Sequence, residues 1–151
     1  MSIGSDLSLI FEREFERLAN QLSLYIDETE IWTTQGSQKN SPGTLALHII
    51  GNLLAYIGAE LGHSGYIRNR EKEFSEKNIS RSDILSNIED CKKIITTVLN
   101  KLDDKDMVKP YPGELAPYLK GITTQGFLMH LLWHLGWHLG QVYYHRLGIQ
   151  K

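Results

Sequence analysis

The sequence predicts an all-α fold, a four-helix bundle whose two long connections permit a crossover topology. Apolar residues recur every three or four positions in four separate segments, which is the periodicity of α-helices. Two of these segments have a charged face and two are nearly uncharged, as expected of helices that share one core. With 151 residues the chain is long enough to bury such a core, and we expect one domain over residues 1–151.

The first predicted helix is amphipathic and runs from about Asp6 to Thr33. Charged residues such as Glu12 and Arg13 occupy one face. The other face has apolar residues spaced by threes and fours: Leu7, Phe11, Phe15, Leu18, Leu22, Tyr25 and Trp32. This pattern is typical of a bundle helix with one face in the core.

The second predicted helix begins at "SPG" and is almost entirely apolar. Ser41 is suited to cap the helix, and Pro42 suits its first position. The apolar run ends at Gly62, and residues 40–59 include no Asp, Glu, Lys or Arg. We therefore expect a helix that is buried on most sides.

The third predicted helix follows a connection of 17 residues, 63–79. The Ser80 hydroxyl and the Asp83 carboxylate are placed to form a capping box at its start. Its apolar stripe recurs as in a heptad: Ile84, Ile88, Cys91, Ile95, Val98 and Leu102. Cys91 is the single cysteine, so an internal disulfide is excluded, and its position predicts a small core residue rather than a nucleophile.

The fourth predicted helix runs from about Thr123 to Leu147 and ends near Gly148. The segment before it, 103–121, holds three of the four prolines and predicts a loop or short extended structure. On a helical projection one sector of roughly 80° contains His130, His134, His138, Gln141 and His145. Trp133, Trp137 and Tyr144 cluster near the opposite edge, so we expect a second copy of the chain or the long loops to cover them.

The bulk properties exclude several classes of partner. A net charge of −2 and a pI near 6.3 argue against binding to nucleic acid. The first residues lack the basic segment of a signal or transit peptide, and one cysteine suits a reducing cytoplasm. The only membrane candidate that we identify, Gly121 to His145, holds four histidines, two glutamines and two threonines. We expect it to be a buried helix rather than a membrane span.

Three histidines are candidate metal ligands. His134 and His138 stand four apart on one helix face, and His48 is the only histidine in the uncharged second helix. Three histidines would leave one coordination position open, which is the pattern of catalytic rather than structural metal sites. "HLGWH" has Leu135 where zincin proteases have their glutamate, which disfavours peptide hydrolysis by that route. The alternative is a group of core histidines bonded to backbone or water.

The chain resembles the DinB/YfiT-like superfamily of metalloenzymes in "SPGTLALHIIGNLLAYI", "GYIRNREKEF" and "LLWHLGWHLGQV". This resemblance covers nearly the full length and implies a four-helix bundle, often dimeric, with zinc or nickel held by three histidines. The ligands fall on His48, His134 and His138, followed by Gly140 and Gln141. Characterised relatives are thiol-dependent S-transferases or isomerases that use bacillithiol, mycothiol or glutathione.

Further residues are weaker candidates for the same site. His130, Gln141 and His145 share the histidine stripe, where they can hydrogen-bond a ligand ring or line the mouth of the site. Plain packing or hydrogen-bonding roles are the alternative for each of them.

Near the second helix, Arg68 and Arg70 are suited to clamp the carboxylate of a thiol cosubstrate. They can equally belong to a solvated loop, because "RNREKEF" alternates in charge. Asn52 and Glu60 lie near the His48 side of the second helix, four and twelve residues beyond it.

These observations lead to three hypotheses. The first is a cytoplasmic, metal-dependent thiol S-transferase in which the metal activates a low-molecular-weight thiol for attack on a small-molecule electrophile. The second is a non-enzymatic bundle that dimerises through the aromatic edge of the fourth helix. The third is a metal-dependent hydrolase, which needs the same histidines but no thiol. The sequence leaves the metal, the thiol, the electrophile and the general base open.

Overall fold

A computed structural model describes residues 2–150 and confirms the all-α class. Within these residues there is no β-strand, only an isolated antiparallel bridge between Pro110 and Thr123. Six α-helices follow one another along the chain: α1 (Ile3–Ser23), α2 (Pro42–Leu53), α3 (Arg70–Ser75), α4 (Arg81–Leu99), α5 (Asp104–Met107) and α6 (Thr124–Ile149).

The four long helices form the bundle. Helices α1 and α2 each pack against both α4 and α6, so the order around the bundle is α1, α4, α2, α6. The connections 24–41 and 100–123 therefore join helices that lie diagonally opposite, which is a crossover topology. Of the two long connections predicted, 63–79 and 103–121, only the second takes part in it. The other long connection, 60–80, joins neighbouring helices. Fully buried side chains fill the centre: Phe11, Phe15, Leu18, Leu22, Ile49, Leu53, Ile84, Ile88, Ile95 and Phe127 among them.

The first helix is shorter than predicted, because it ends at Ser23 and not at Thr33. A separate 3-10 helix, Glu28–Trp32, follows it. The Asp27 side chain accepts a hydrogen bond from the backbone N–H of Thr29 at 2.9 Å, and this local bond competes with continuation of the α-helix.

The second helix begins as predicted, with the Ser41 hydroxyl accepting from the N–H of Thr44 at 3.2 Å and Pro42 in the first turn. Its α-helical part ends at Leu53, and a π-helix continues it over Leu54–Ala59. The periodicity of the sequence did not predict this wider turn.

The stretch that could cross a membrane by length and composition is Pro42–Ala59, with a mean hydropathy of 1.3. The prediction of Gly121 to His145 as the only candidate was therefore wrong, since it considered the absence of charge and not hydropathy. Of the Pro42–Ala59 window, 72% is buried inside the fold, as in a core helix.

The start of α4 agrees with the prediction in part. The Ser80 hydroxyl accepts from the N–H of Asp83 at 3.1 Å and donates to its carboxylate at 2.7 Å. The Asp83 carboxylate thus binds the Ser80 side chain and not its backbone, so the capping box is incomplete. The predicted stripe is buried from Ile84 to Val98, while Leu102 lies beyond the helix and is half-buried.

Two segments expected to lack helices contain short ones. Helix α3 is capped by the Asn69 side chain, which accepts from the N–H of Lys72 at 3.0 Å. Helix α5 has a complete capping box between Asp103 and Asp106. Helix α6 begins after Thr123 as predicted and continues two residues past Leu147.

Candidate metal centre

Three imidazole rings meet where α2 packs against α6. Four-residue spacing on α6 places His134 beside His138, and α2 presents His48 from the opposite side. The Nε2 atom of His134 lies 3.3 Å from Nε2 of His48 and 3.0 Å from Nε2 of His138. The nitrogens of all three residues lie within 4.8 Å of one another, so the structure brings the three predicted ligands together.

The orientation of His48 is fixed by a buried carboxylate that the sequence did not indicate. Its Nδ1 lies 3.0 Å from Oε2 of Glu73, which is on α3 and only 6% exposed. A carboxylate only accepts hydrogen bonds, so the proton of the ring is on Nδ1. The Nε2 lone pair of His48 is then free and faces the other two rings.

Glu73 is itself held by Arg68 through two parallel hydrogen bonds. Arg68 donates from Nε to Oε1 at 2.7 Å and from Nη2 to Oε2 at 2.9 Å. Burial raises the pKa of Glu73, but the hydrogen bonds from His48 and Arg68 outweigh this effect and hold the pKa below its ordinary value. Gly51 makes room for this carboxylate, since a Cβ there would collide with it.

His138 is oriented in a similar way by its own helix. Its Nδ1 lies 2.7 Å from Oε1 of Gln141, one turn further along α6. An amide oxygen accepts, so Nδ1 of His138 holds the proton and Nε2 turns its lone pair to the cluster.

The two rings of α6 are neutral where a metal would need them to be. Burial, with a smaller contribution from His138 and His48, lowers the pKa of His134 to about 4. Burial also lowers the pKa of His138, although the hydrogen bond that its Nδ1 donates to Gln141 raises this pKa. Neutral imidazole is the form that ligates metals, and His134 and His138 present it at neutral pH.

The donor set fits a divalent metal ion. Nitrogens that lie about 2.05 Å from a tetrahedral ion are about 3.3 Å from each other, and two of the three nitrogen pairs of the cluster are close to this value, at 3.3 and 3.0 Å. The Nε2 lone pairs of His48 and His138 both face Nε2 of His134. Because this nitrogen has at most one proton, a hydrogen bond from it can satisfy only one of the two lone pairs. A cation satisfies all three nitrogens and leaves a fourth position open.

Cavities adjoin the cluster on two sides. A cavity of about 770 Å³ reaches His138, and its wall includes Pro42, Leu45, Trp137 and Tyr144. A second cavity of about 310 Å³ reaches His48 and His134. A molecule in either cavity would have access to the cluster.

The remaining histidines of the stripe do not hydrogen-bond the cluster within the residues described. His130 stacks on Phe127, with 5.8 Å between ring centroids, and lines the smaller cavity. His145 is 2% exposed, lines the larger cavity, and shares a hydrogen bond of 2.8 Å between its Nδ1 and the Tyr25 hydroxyl. Of the three weaker candidates on α6, only Gln141 touches a ring of the cluster.

The two arginines have different surroundings. Arg68 is engaged by Glu73, so it supports His48 instead of standing free as a clamp. Arg70 lies with its guanidinium carbon 5.0 Å from the centroid of Phe74 and lines the smaller cavity. Glu73 was missed because "RNREKEF" suggested a solvated loop, although Asn69 is a preferred helix-capping residue and was the available signal.

The comparisons with known proteins give a family and no function. No curated protein and no solved structure matches the chain significantly. The family described as "Protein of unknown function (DUF1572)" matches residues 10–149, which is nearly the whole chain. The chain with this three-histidine cluster therefore belongs to the DUF1572 family.

Proposed function

We propose that this protein is a metal-dependent enzyme of the DinB-like superfamily that activates a low-molecular-weight thiol for attack on a small-molecule electrophile. The observation that supports it best is the convergence of three imidazoles beside two cavities. The site has three protein ligands, the number typical of catalytic zinc sites, whereas structural sites have four. Membership of DUF1572 agrees with the proposal but names no reaction.

Zinc or nickel suits three imidazole nitrogens. His48, His134 and His138 would hold a divalent ion here. When bound, such an ion would supply the positive charge that lets a nearby thiol lose its proton near neutral pH. Glu73 and Gln141 keep two of these rings in the correct tautomer by accepting their Nδ1 protons.

The reaction joins two molecules, and the site offers two cavities. In the transfer, the thiol sulfur forms a bond to the electrophilic carbon, the bond from that carbon to its leaving group breaks, and the thiol proton is released. The larger cavity has Trp137, Tyr144 and Leu45 in its wall and suits an apolar electrophile. A thiol cosubstrate suits the reducing cytoplasm, where we place the protein.

A specific observation supports a homodimer as well. Trp133, Trp137 and Tyr144 are 59%, 57% and 73% exposed, so the long loops do not cover them. A second copy that packs against this edge of α6 would bury them. If dimerisation were the whole function of the protein, it would be a binding module that catalyses no reaction.

Metal content is the first test. We expect about one zinc or nickel per chain by plasma mass spectrometry in tag-free protein, and none in the His134→Ala/His138→Ala variant. His63→Asn is the matched control, because His63 is exposed and Asn tolerates its positive φ of 51°. Wild-type protein that takes up no metal after reconstitution would refute the proposal.

Activity separates the remaining hypotheses. The loaded protein should consume a thiol in the presence of a chromogenic electrophile, and the double variant should not. Hydrolysis of the electrophile without any thiol would indicate the hydrolase instead. Full metal occupancy with neither reaction, together with dimerisation, would indicate the binding module.

A further inference from the structure

The smaller cavity is built mainly from parts of the chain that the three-histidine cluster does not use. Its volume of about 310 Å³ corresponds to roughly ten water molecules, so it holds a small metabolite and not a peptide. His48 and His134 form one side. The rest of its wall combines polar and aromatic residues, including Asn52, Tyr56, Arg68, Arg70, Tyr118 and His130.

The wall of this cavity has an excess of positive charge. Two guanidinium groups, those of Arg68 and Arg70, line it, and within residues 2–150 no acidic side chain does. Glu73 lies behind Arg68 and neutralises that guanidinium through two hydrogen bonds. Arg70 forms no ion pair with any carboxylate in the part of the chain described. One cation of the cavity wall is thus available to an anion.

A buried polar group in the same wall also lacks a partner. Asn52 lies one helical turn beyond His48 and is 7% exposed. Its Oδ1 has no hydrogen-bond partner among the residues described. Buried amides are normally satisfied, and an orphaned one beside a cavity points to a group that arrives with a ligand.

The helix that presents Asn52 is irregular at this place. The π-helix Leu54–Ala59 begins two residues after Asn52 and includes Tyr56, which also lines the cavity. Such wide turns occur frequently at functional sites. The Tyr56 ring lies 5.7 Å from the guanidinium carbon of Arg68, so this part of α2 contributes to the same wall.

We propose that this cavity is a subsite for a small carboxylate, in which Arg70 binds the carboxylate group and Asn52 hydrogen-bonds a neighbouring polar group of the same molecule. Guanidinium matches the planar carboxylate with parallel N–H donors. The cavity also reaches His48 and His134, so a molecule anchored there extends to the open side of the cluster. The inference rests on the proposed function in one respect, that the carboxylate belongs to a molecule that also reaches the metal.

The test compares three simple probes on the zinc-loaded protein. These are 3-mercaptopropionate, which has a thiol and a carboxylate; 2-mercaptoethanol, which has the thiol alone; and propionate, which has the carboxylate alone. Calorimetry measures thiol binding, and the NMR signal of the Asn52 side-chain amide reports propionate. Arg70→Gln removes the proposed anchor, and Arg13→Gln is the control, because Arg13 is exposed on α1, away from the cavity.

We expect wild type and Arg13→Gln to bind 3-mercaptopropionate about tenfold more tightly than 2-mercaptoethanol, as for one charged hydrogen-bonded contact. Arg70→Gln should lose this preference and the propionate-induced shift of Asn52. Equal binding of both thiols without a propionate shift would overturn the subsite and leave thiol activation standing. A propionate shift that depends on Arg70, with no binding of either thiol, would support the subsite and refute thiol activation. A preference that Arg70→Gln retains would also overturn the inference.

Discussion

At the scale of single residues, the site depends on hydrogen bonds that set which nitrogen of each ring holds the proton. Glu73 accepts from Nδ1 of His48, and Gln141 accepts from Nδ1 of His138. In both cases Nε2 keeps its lone pair for the cluster. Glu73 and Gln141 therefore determine which ring nitrogen is protonated. Replacing either acceptor should change the affinity for metal although all three histidine ligands remain.

Replacement of Glu73 by Gln tests this directly. The amide is neutral and can present an N–H to His48, so it no longer enforces the Nδ1–H tautomer. We expect metal affinity to fall by roughly 10–100-fold, measured by competition with a chromophoric chelator. Glu76→Gln is the matched control, since Glu76 follows the last residue of α3 and, within residues 2–150, forms an ion pair with Lys72 alone, at 3.9 Å. Equal affinities in the two variants would show that Glu73 has no part in the site.

His145 gives a prediction about pH. Burial lowers its pKa in the folded protein below the ordinary value of 6.5. Below about pH 6.5, His145 therefore binds a proton more readily in the unfolded chain than in the folded one. The contribution of His145 to the free energy of unfolding is fully present above this pH and is lost as the pH falls towards the folded pKa. The free energy of unfolding in urea, measured with a chelator present, should fall less between pH 7.5 and 5 in His145→Gln than in wild type. Identical pH profiles would contradict this assignment.

At the scale of the elements, the site requires a close approach between α2 and α3. Gly51 faces Glu73, and a methyl group at this position would displace the carboxylate. We expect Gly51→Ala to destabilise the fold by about 1–3 kcal/mol, as other overpacked sites do, and to weaken metal binding with it. Gly136→Ala on α6 should instead stabilise by about 0.4–1 kcal/mol, because no atom lies within 4 Å of its added Cβ. Unfolding in denaturant, together with metal titration, distinguishes the two variants.

The elements also show which features the sequence could predict. Helix periodicity and caps such as Ser41 and Ser80 predicted the four long helices, because their apolar faces and first turns are encoded locally. The convergence of His48 with the α6 pair was predicted from its position in an uncharged helix together with the family resemblance. Glu73 was not predicted, because its burial depends on how a short charged helix folds back over Gly51. The π-helix of α2 likewise has no periodic signal of its own.

At the scale of the whole molecule, the metal would join two helices that the core already holds together. Helices α2 and α6 pack against each other, and both contribute apolar side chains to the core, such as Ile49 and Leu131. The bundle thus has a core that does not require an ion, unlike small zinc domains that unfold without metal. Metal binding should add stability to a chain that is already folded.

Chelation tests this expectation. A ligand that binds only the folded state stabilises it by about 2.7 kcal/mol when its free concentration is a hundred times its Kd. For a chain of this size, such a difference shifts the melting temperature by roughly 5–10 °C. We therefore expect the melting temperature to fall by that amount when the metal is removed, while the far-ultraviolet circular dichroism at 25 °C remains helical. The His134→Ala/His138→Ala variant should show no response to added metal or chelator. A helical signal that disappears on chelation would mean that the ion organises the bundle, and the cluster would then be a structural site.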